Sequence, residues 1–131
     1  MMKISVLLAD DSEVMRKAIV DLLKSDPEIE VVAESAGFAQ TIQIAAKLHP
    51  QIIVLDVHMG DERTVTRAQV KSGLNSSRLL AISVWNDDET KYLAKIIGAA
   101  ALLDKTKLAV ELIPAIKLHA HESNERTPRR E

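Results

Sequence analysis

Asp10 and Asp11 follow one short apolar run of this chain, Asp56 closes another, Ser83 stands near the end of a further one, and Lys105 lies just past the last. Carboxylates, a hydroxyl and an ammonium are groups that can hold a hard cation, accept a phosphoryl group and neutralise its charge. Two like charges about 4 Å apart at an effective dielectric near 20 repel by roughly 4 kcal/mol, so clustered carboxylates raise their own pKa unless cations intervene. Lys105 offers one positive charge, and a divalent ion offers two. Oxygen donors without cysteine or a histidine cluster suit Mg2+ or Mn2+ rather than zinc. Magnesium keeps several waters and gains ligands from phosphate, so such a rim is suited to a metal and a phosphoryl group together. Taken singly, these residues read more simply. Asp10 and Asp11 ahead of Ser12 read as turn and cap residues, Asp56 as a turn former, Ser83 as a buried hydroxyl and Lys105 as a solvated charge. Their common placement at the ends of successive apolar runs carries the information.

Those runs must position them. Residues 4–9, 52–55 and 79–84 are short and nearly continuous in apolar character, the pattern of strands covered on both faces in a parallel sheet. Residues 31–33, flanked by glutamates, are expected at an edge, and residues 99–103 are a fifth strand candidate. Between the runs the period changes. Met15, Ala18, Ile19, Leu22 and Leu23 recur at helical spacing behind Ser12, a plausible N-cap. A second helix is expected over 38–48, ahead of Pro50. A third, over 64–71, has a poor apolar stripe. A fourth ends at Gly98, with Asn86 and Glu89 spaced as a capping box. The last spans 107–119 and contains Pro114, which removes one helical hydrogen bond. Strand–helix alternation repeated five times predicts an α/β fold, a doubly wound parallel sheet with helices on both faces. In such sheets the ligand crevice lies beyond the carboxyl ends of the strands, where the residues above fall. Residues 1–120 are expected to form one domain and 121–131 a flexible C-terminal tail.

Composition narrows the classes. The chain has 131 residues, 47% of them hydrophobic, which excludes wholesale disorder. A formal charge of -2 argues against direct nucleic-acid binding, and zero cysteines exclude a disulfide scaffold. No apolar run approaches the roughly 20 residues that span a bilayer, so a cytoplasmic protein without membrane association is expected. Aromatics make up 2%, so the core must be built from Leu, Ile, Val and Ala.

The ordered set Leu8-Ala9-Asp10-Asp11-Ser12, Ile52-Ile53-Val54-Leu55-Asp56-Val57-His58-Met59, Leu79-Leu80-Ala81-Ile82-Ser83-Val84 and Gly98-Ala99-Ala100-Ala101-Leu102-Leu103-Asp104-Lys105 resembles the receiver domain of two-component response regulators. The resemblance runs from residue 3 to about 119. It implies the flavodoxin-like strand order 2-1-3-4-5, which flavodoxin and a chemotaxis receiver share. It implies that Asp56 is the phosphoacceptor for a kinase phosphohistidine. Asp11, Asp56 and the backbone carbonyl of His58 would ligate Mg2+, with Asp10 acting mostly through water. Lys105 would pair with phosphoryl oxygens, and Ser83 would swing inward and shift the surface around the fourth helix and fifth strand. Partners would be a histidine kinase or histidine phosphotransfer protein and a downstream output protein or output domain, with a homodimer as one phosphorylated form. His58 and Trp85 would flank the hydrolytic water and set the phosphoryl lifetime.

Several positions depart from the family pattern. Gly60 stands where Pro is common, Thr64 where Gly is common, Leu102 where an aromatic switch is frequent, and Thr106 where many members have Pro. Lys105-Thr106 and Leu112-Ile113-Pro114-Ala115-Ile116-Lys117 look more like receivers of LuxR-type regulators. The alternatives are an Mg2+-dependent phosphohydrolase with Asp56 as nucleophile and a receiver-like or flavodoxin-like binding module. Haloacid-dehalogenase-like hydrolases usually carry an Asp where this chain has His58. Two carboxylates after the first strand would repel a flavin phosphate.

Overall fold

The computed structural model describes residues 3–126. Its elements, in chain order, are β1 (Ile4–Ala9), α1 (Glu13–Lys24), β2 (Ile29–Ser35), α2 (Phe38–Leu48), β3 (Ile52–Asp56), α3 (Arg67–Gly73), β4 (Arg78–Ser83), α4 (Asp88–Ile96), β5 (Ala101–Asp104), a 3-10 turn (Lys105–Lys107) and α5 (Leu108–Arg126). The five strands pair in parallel in the order β2-β1-β3-β4-β5, as expected.

The continuous apolar runs follow from strand geometry. Successive side chains point to opposite faces, and here both faces are covered. Val6, Leu8, Ile52, Val54, Leu80 and Ile82 pack with Ile19 and Leu23 of α1 and Leu112 and Ile116 of α5. The alternate residues Leu7, Ala9, Ile53, Leu55, Leu79 and Ala81 pack with Phe38 and Ala45 of α2, Val70 of α3 and Ala94 of α4. The helices therefore divide two and three across the sheet, and the strand ends are left clear at one edge.

Several boundaries differ from the sequence expectation. The edge strand is longer than 31–33, because its backbone stays paired with β1 from Ile4↔Ile29 to Ala9↔Ser35. The fifth strand starts at Ala101 rather than 99, since Gly98 takes φ 86° after α4 and Ala100 N–H bonds to Leu79 O before pairing begins. The start of α4 is capped by Asp87, whose carboxylate accepts Thr90 N–H at 2.9 Å, and not by Asn86. The third helix begins at Arg67 rather than 64. Thr66 and Gln69 form a reciprocal capping box there, and residues 61–65 close turns instead. The last helix runs past 119 to Arg126, so residues 121–126 continue it, and the remainder of the expected tail lies outside the described residues. Among the described residues no helix is long and apolar enough to cross a membrane.

Candidate functional site

Because all five strands are parallel, the residues after β1, β3, β4 and β5 share one edge. The neighbours β1 and β3 bring Asp10 and Asp56 together. Asp10, Asp11 and Asp56 each offer a carboxylate oxygen, and these oxygens lie within 4.8 Å of one another. Lys105 comes from the far side of β4. Its long side chain reaches across that strand's end, so that Nζ lies 2.8 Å from Asp10 Oδ2 and 3.0 Å from Asp56 Oδ2. The side chains of Lys105, Asp10 and Asp56 are 9%, 0% and 8% exposed, so the pairing occurs largely out of solvent.

Local backbone bonds hold each group. Asp10 Oδ1 accepts Ser12 N–H at 2.8 Å, the turn that leads into the Ser12 cap of α1. Arg16 donates to the Asp10 carbonyl at 2.6 Å and to Glu34 at 3.2 Å, tying α1 to the ends of β1 and β2. Asp56 Oδ1 accepts His58 N–H at 3.0 Å. Burial pushes the Asp56 carboxyl above its ordinary range, helped by the negative charge of Asp10 and opposed by His58 N–H and Lys105. Burial alone would lower Lys105, but Asp10 and Asp56 outweigh it and hold the ammonium above its ordinary value.

The donor set fits a hard divalent cation. Three formal negative charges face one ammonium, which leaves a net of minus two. Asp10 Oδ2 is fully buried, and the Lys105 ammonium 2.8 Å away is the positive charge that faces it. Asp11 is exposed, as a ligand in contact with a hydrated ion would be. Mg2+ or Mn2+ would take these oxygens and leave sites for water and phosphate.

Two expected residues stand outside the cluster of charges. Ser83 is buried at the end of β4, one position beyond the Asp56↔Ile82 pair, and its Oγ accepts Trp85 N–H at 2.9 Å. The His58 side chain lies at the rim, with Nδ1 3.7 Å from Glu62 Oε1, while its backbone N–H is the group bound to Asp56. Trp85 is 61% exposed. Two residues that hold this edge were not singled out from the sequence, Arg16 and Asp61. That carboxylate accepts Phe38 N–H at 2.8 Å and Ala39 N–H at 3.0 Å. A readable signal for it existed: α2 starts after Gly37, which has no side chain to cap it.

Comparison with known proteins gives the family. The chain is 32% identical over 115 residues to the DNA-binding transcriptional activator DevR/DosR of Mycobacterium tuberculosis, covering 87% of this chain and 53% of that protein. It is 32% identical over 117 residues to the response regulator protein VraR of Staphylococcus aureus, covering 88% and 56%. It is 32% identical over 114 residues to a protein-glutamate methylesterase/protein-glutamine glutaminase of Methanococcus maripaludis, covering 86% of this chain and 31% of that enzyme. The chain thus spans about half the length of the regulators it matches. Among solved structures, the signal receiver domain of NarL from Mycobacterium tuberculosis superposes with a TM-score of 0.82 at 26% identity, covering 92% of this chain and 98% of that one. The response regulator domain of Thermotoga maritima CheB shares the fold with a TM-score of 0.78 at 22% identity, covering 91% and 97%. The family model described as the response regulator receiver domain matches residues 6–117, and the chain belongs to that family.

Proposed function

We propose that this receiver accepts a phosphoryl group on Asp56 from the phosphohistidine of a histidine kinase or histidine phosphotransfer protein, in the presence of Mg2+ or Mn2+. The observation that carries the reading is the buried Lys105 ammonium shared by Asp10 and Asp56 beside a third carboxylate. Phosphoryl transfer needs positioning and charge neutralisation more than covalent assistance. One oxygen of Asp56 attacks phosphorus. An O–P bond forms, the P–N bond breaks, and its electron pair stays on the donor imidazole, which takes up a proton. Asp11, Asp56 and the His58 carbonyl would hold the cation, with Asp10 acting through water, and the bound ion would neutralise charge on the phosphoryl oxygens. Lys105 is placed to follow the acceptor oxygen and pair with the new phosphoryl group.

Ser83 is the group through which the surface changes. Its hydroxyl now serves Trp85 N–H. A turn toward phosphoryl oxygen would break that bond and release the backbone between β4 and α4. This moves the surface that carries exposed Trp85 and Tyr92 and the β5 edge, where an output domain or partner protein would sense it.

Acetyl phosphate with Mg2+ tests the reading. The expected result is a mass gain of one phosphoryl group per chain, abolished by Asp56→Asn, with a change in Trp85 emission on adding beryllofluoride. Steady turnover of phosphomonoesters would instead support a hydrolase. No mass gain and no emission change would refute phosphorylation.

A further inference from the structure

The loop from β3 to α3 carries the proposed cation ligand His58, and it also carries Gly60, whose backbone freedom is the widest of any residue. A Cβ at Gly60 would stand 3.9 Å from Asp11 Oδ2, so this flexible step lies beside the carboxylate cluster. Such a loop needs fixing at both ends to hold a carbonyl in place. Its first end is tied where His58 N–H meets Asp56 Oδ1, and Met59 is buried at 1% exposure.

The second end is tied by Asp61. Both of its oxygens accept the leading N–H groups of α2, at 2.8 Å from Phe38 and 3.0 Å from Ala39. Its own carbonyl accepts Thr64 N–H and Val65 N–H, closing the rest of the loop. The partner element is shaped for this contact. Gly37 at the N-cap of α2 has φ −161°, an extended conformation open to any residue, so backbone geometry does not require glycine. Space favours it: a Cβ there would lie 3.1 Å from both Asp61 oxygens, so Asp61 would have to yield by a few tenths of an ångström. A helix end that lacks its own cap, a carboxylate from across the sheet edge and a glycine that makes room for it form one device.

We infer that Asp61 is a positioning residue: by capping α2 from the β3–α3 loop it holds the His58 backbone where a divalent cation needs it, and so sets the cation affinity of the site. This rests on the phosphoacceptor reading above. Substitution of groups that orient metal ligands typically weakens binding by about 10–100-fold.

Mn2+ binding, measured by electron paramagnetic resonance of the free ion, tests the inference without phosphorylation. Asp61→Ala is expected to weaken Mn2+ by about tenfold while far-ultraviolet circular dichroism stays native. Asp61→Asn keeps an acceptor oxygen and loses the charge, so it is expected to retain most of the affinity. Gly37→Ser gives α2 its own cap and crowds Asp61 out, so it should leave thermal stability near wild type and still weaken Mn2+. It decides the matter if Asp61→Ala does not fold. Wild-type affinity in folded Asp61→Ala or in Gly37→Ser overturns the inference and leaves the phosphoacceptor reading standing. Equal loss in Asn and Ala also overturns it, since charge rather than capping would then be responsible. A wild-type protein that binds no Mn2+ and gains no phosphoryl mass overturns both.

Discussion

Replacing Lys105 by Met removes the ammonium between two buried carboxylates while keeping a side chain of similar length. At an effective dielectric near 20, Coulomb's law gives about 6 kcal/mol for each of the contacts to Asp10 and Asp56. The desolvation of lysine offsets much of that, and breaking a buried ion pair by removing one partner costs about 3–5 kcal/mol. For a domain of this size each kcal/mol shifts Tm by about 3–5 °C, so Lys105→Met should melt about 10–20 °C lower at pH 7 in EDTA. The sign of the pH dependence follows from the charges left behind. In the wild type Lys105 is raised, so its contribution is complete below 10.5 and is lost only as pH rises through the folded value. In the variant, Asp10 and Asp56 face each other without a cation, and burial already raises Asp56. A carboxyl raised further favours the folded state at low pH and penalises it as pH rises through the folded value. The variant should therefore be more stable relative to wild type at pH 5 than at pH 8, and Mg2+ should restore more stability to it than to wild type. The assay is urea unfolding followed by circular dichroism from pH 5 to 8, with EDTA or Mg2+. A loss under about 1 kcal/mol with no pH trend would mean that Lys105 does not hold the carboxylates together, and the electrostatic argument would fail.

Other outcomes follow from the same geometry. Asp56→Asn should raise Tm by a few degrees at pH 7 in EDTA. The raised carboxyl costs stability once pH passes the unfolded value near 3.8, so calorimetry should find the gain shrinking as pH falls toward it. Thr66→Ala should destabilise by about 1 kcal/mol in urea unfolding, because it removes the hydroxyl that accepts Gln69 N–H at the start of α3. His58→Ala and Trp85→Ala should each change the rate at which phosphoryl mass is lost from Asp56, followed by mass spectrometry. Unchanged rates would show that the rim side chains do not control hydrolysis.

Much of the arrangement could be read from the chain because its causes are local. The apolar runs before Asp10, Asp56 and Ser83 are strands for the reason visible in sequence: a strand covered on both faces has no polar alternation. Parallel strands then require that residues at their carboxyl ends share an edge, so the carboxylates and Lys105 could be placed together before any coordinates. Ser12 caps α1 as its type and position imply. Where local signals competed, sequence reasoning erred. Asn86 and Asp87 are both good caps, and it is Asp87 whose carboxylate accepts Thr90 N–H. Thr64 and Thr66 are equally plausible helix starts, and the choice fell to the residue three positions before Gln69, which can return the bond.

The sequence by itself determined the fold class, the edge on which the chemistry sits and the types of group gathered there, since these follow from hydrophobic period and residue identity. Tertiary structure alone decided that Lys105 bridges Asp10 and Asp56 and that Asp61 caps α2. The reason is distance along the chain. Lys105 lies 49 residues from Asp56, and Asp61 lies 23 from Phe38. Contacts of that kind depend on which strand ends are neighbours and how far a side chain reaches across them, and no short stretch of sequence encodes that.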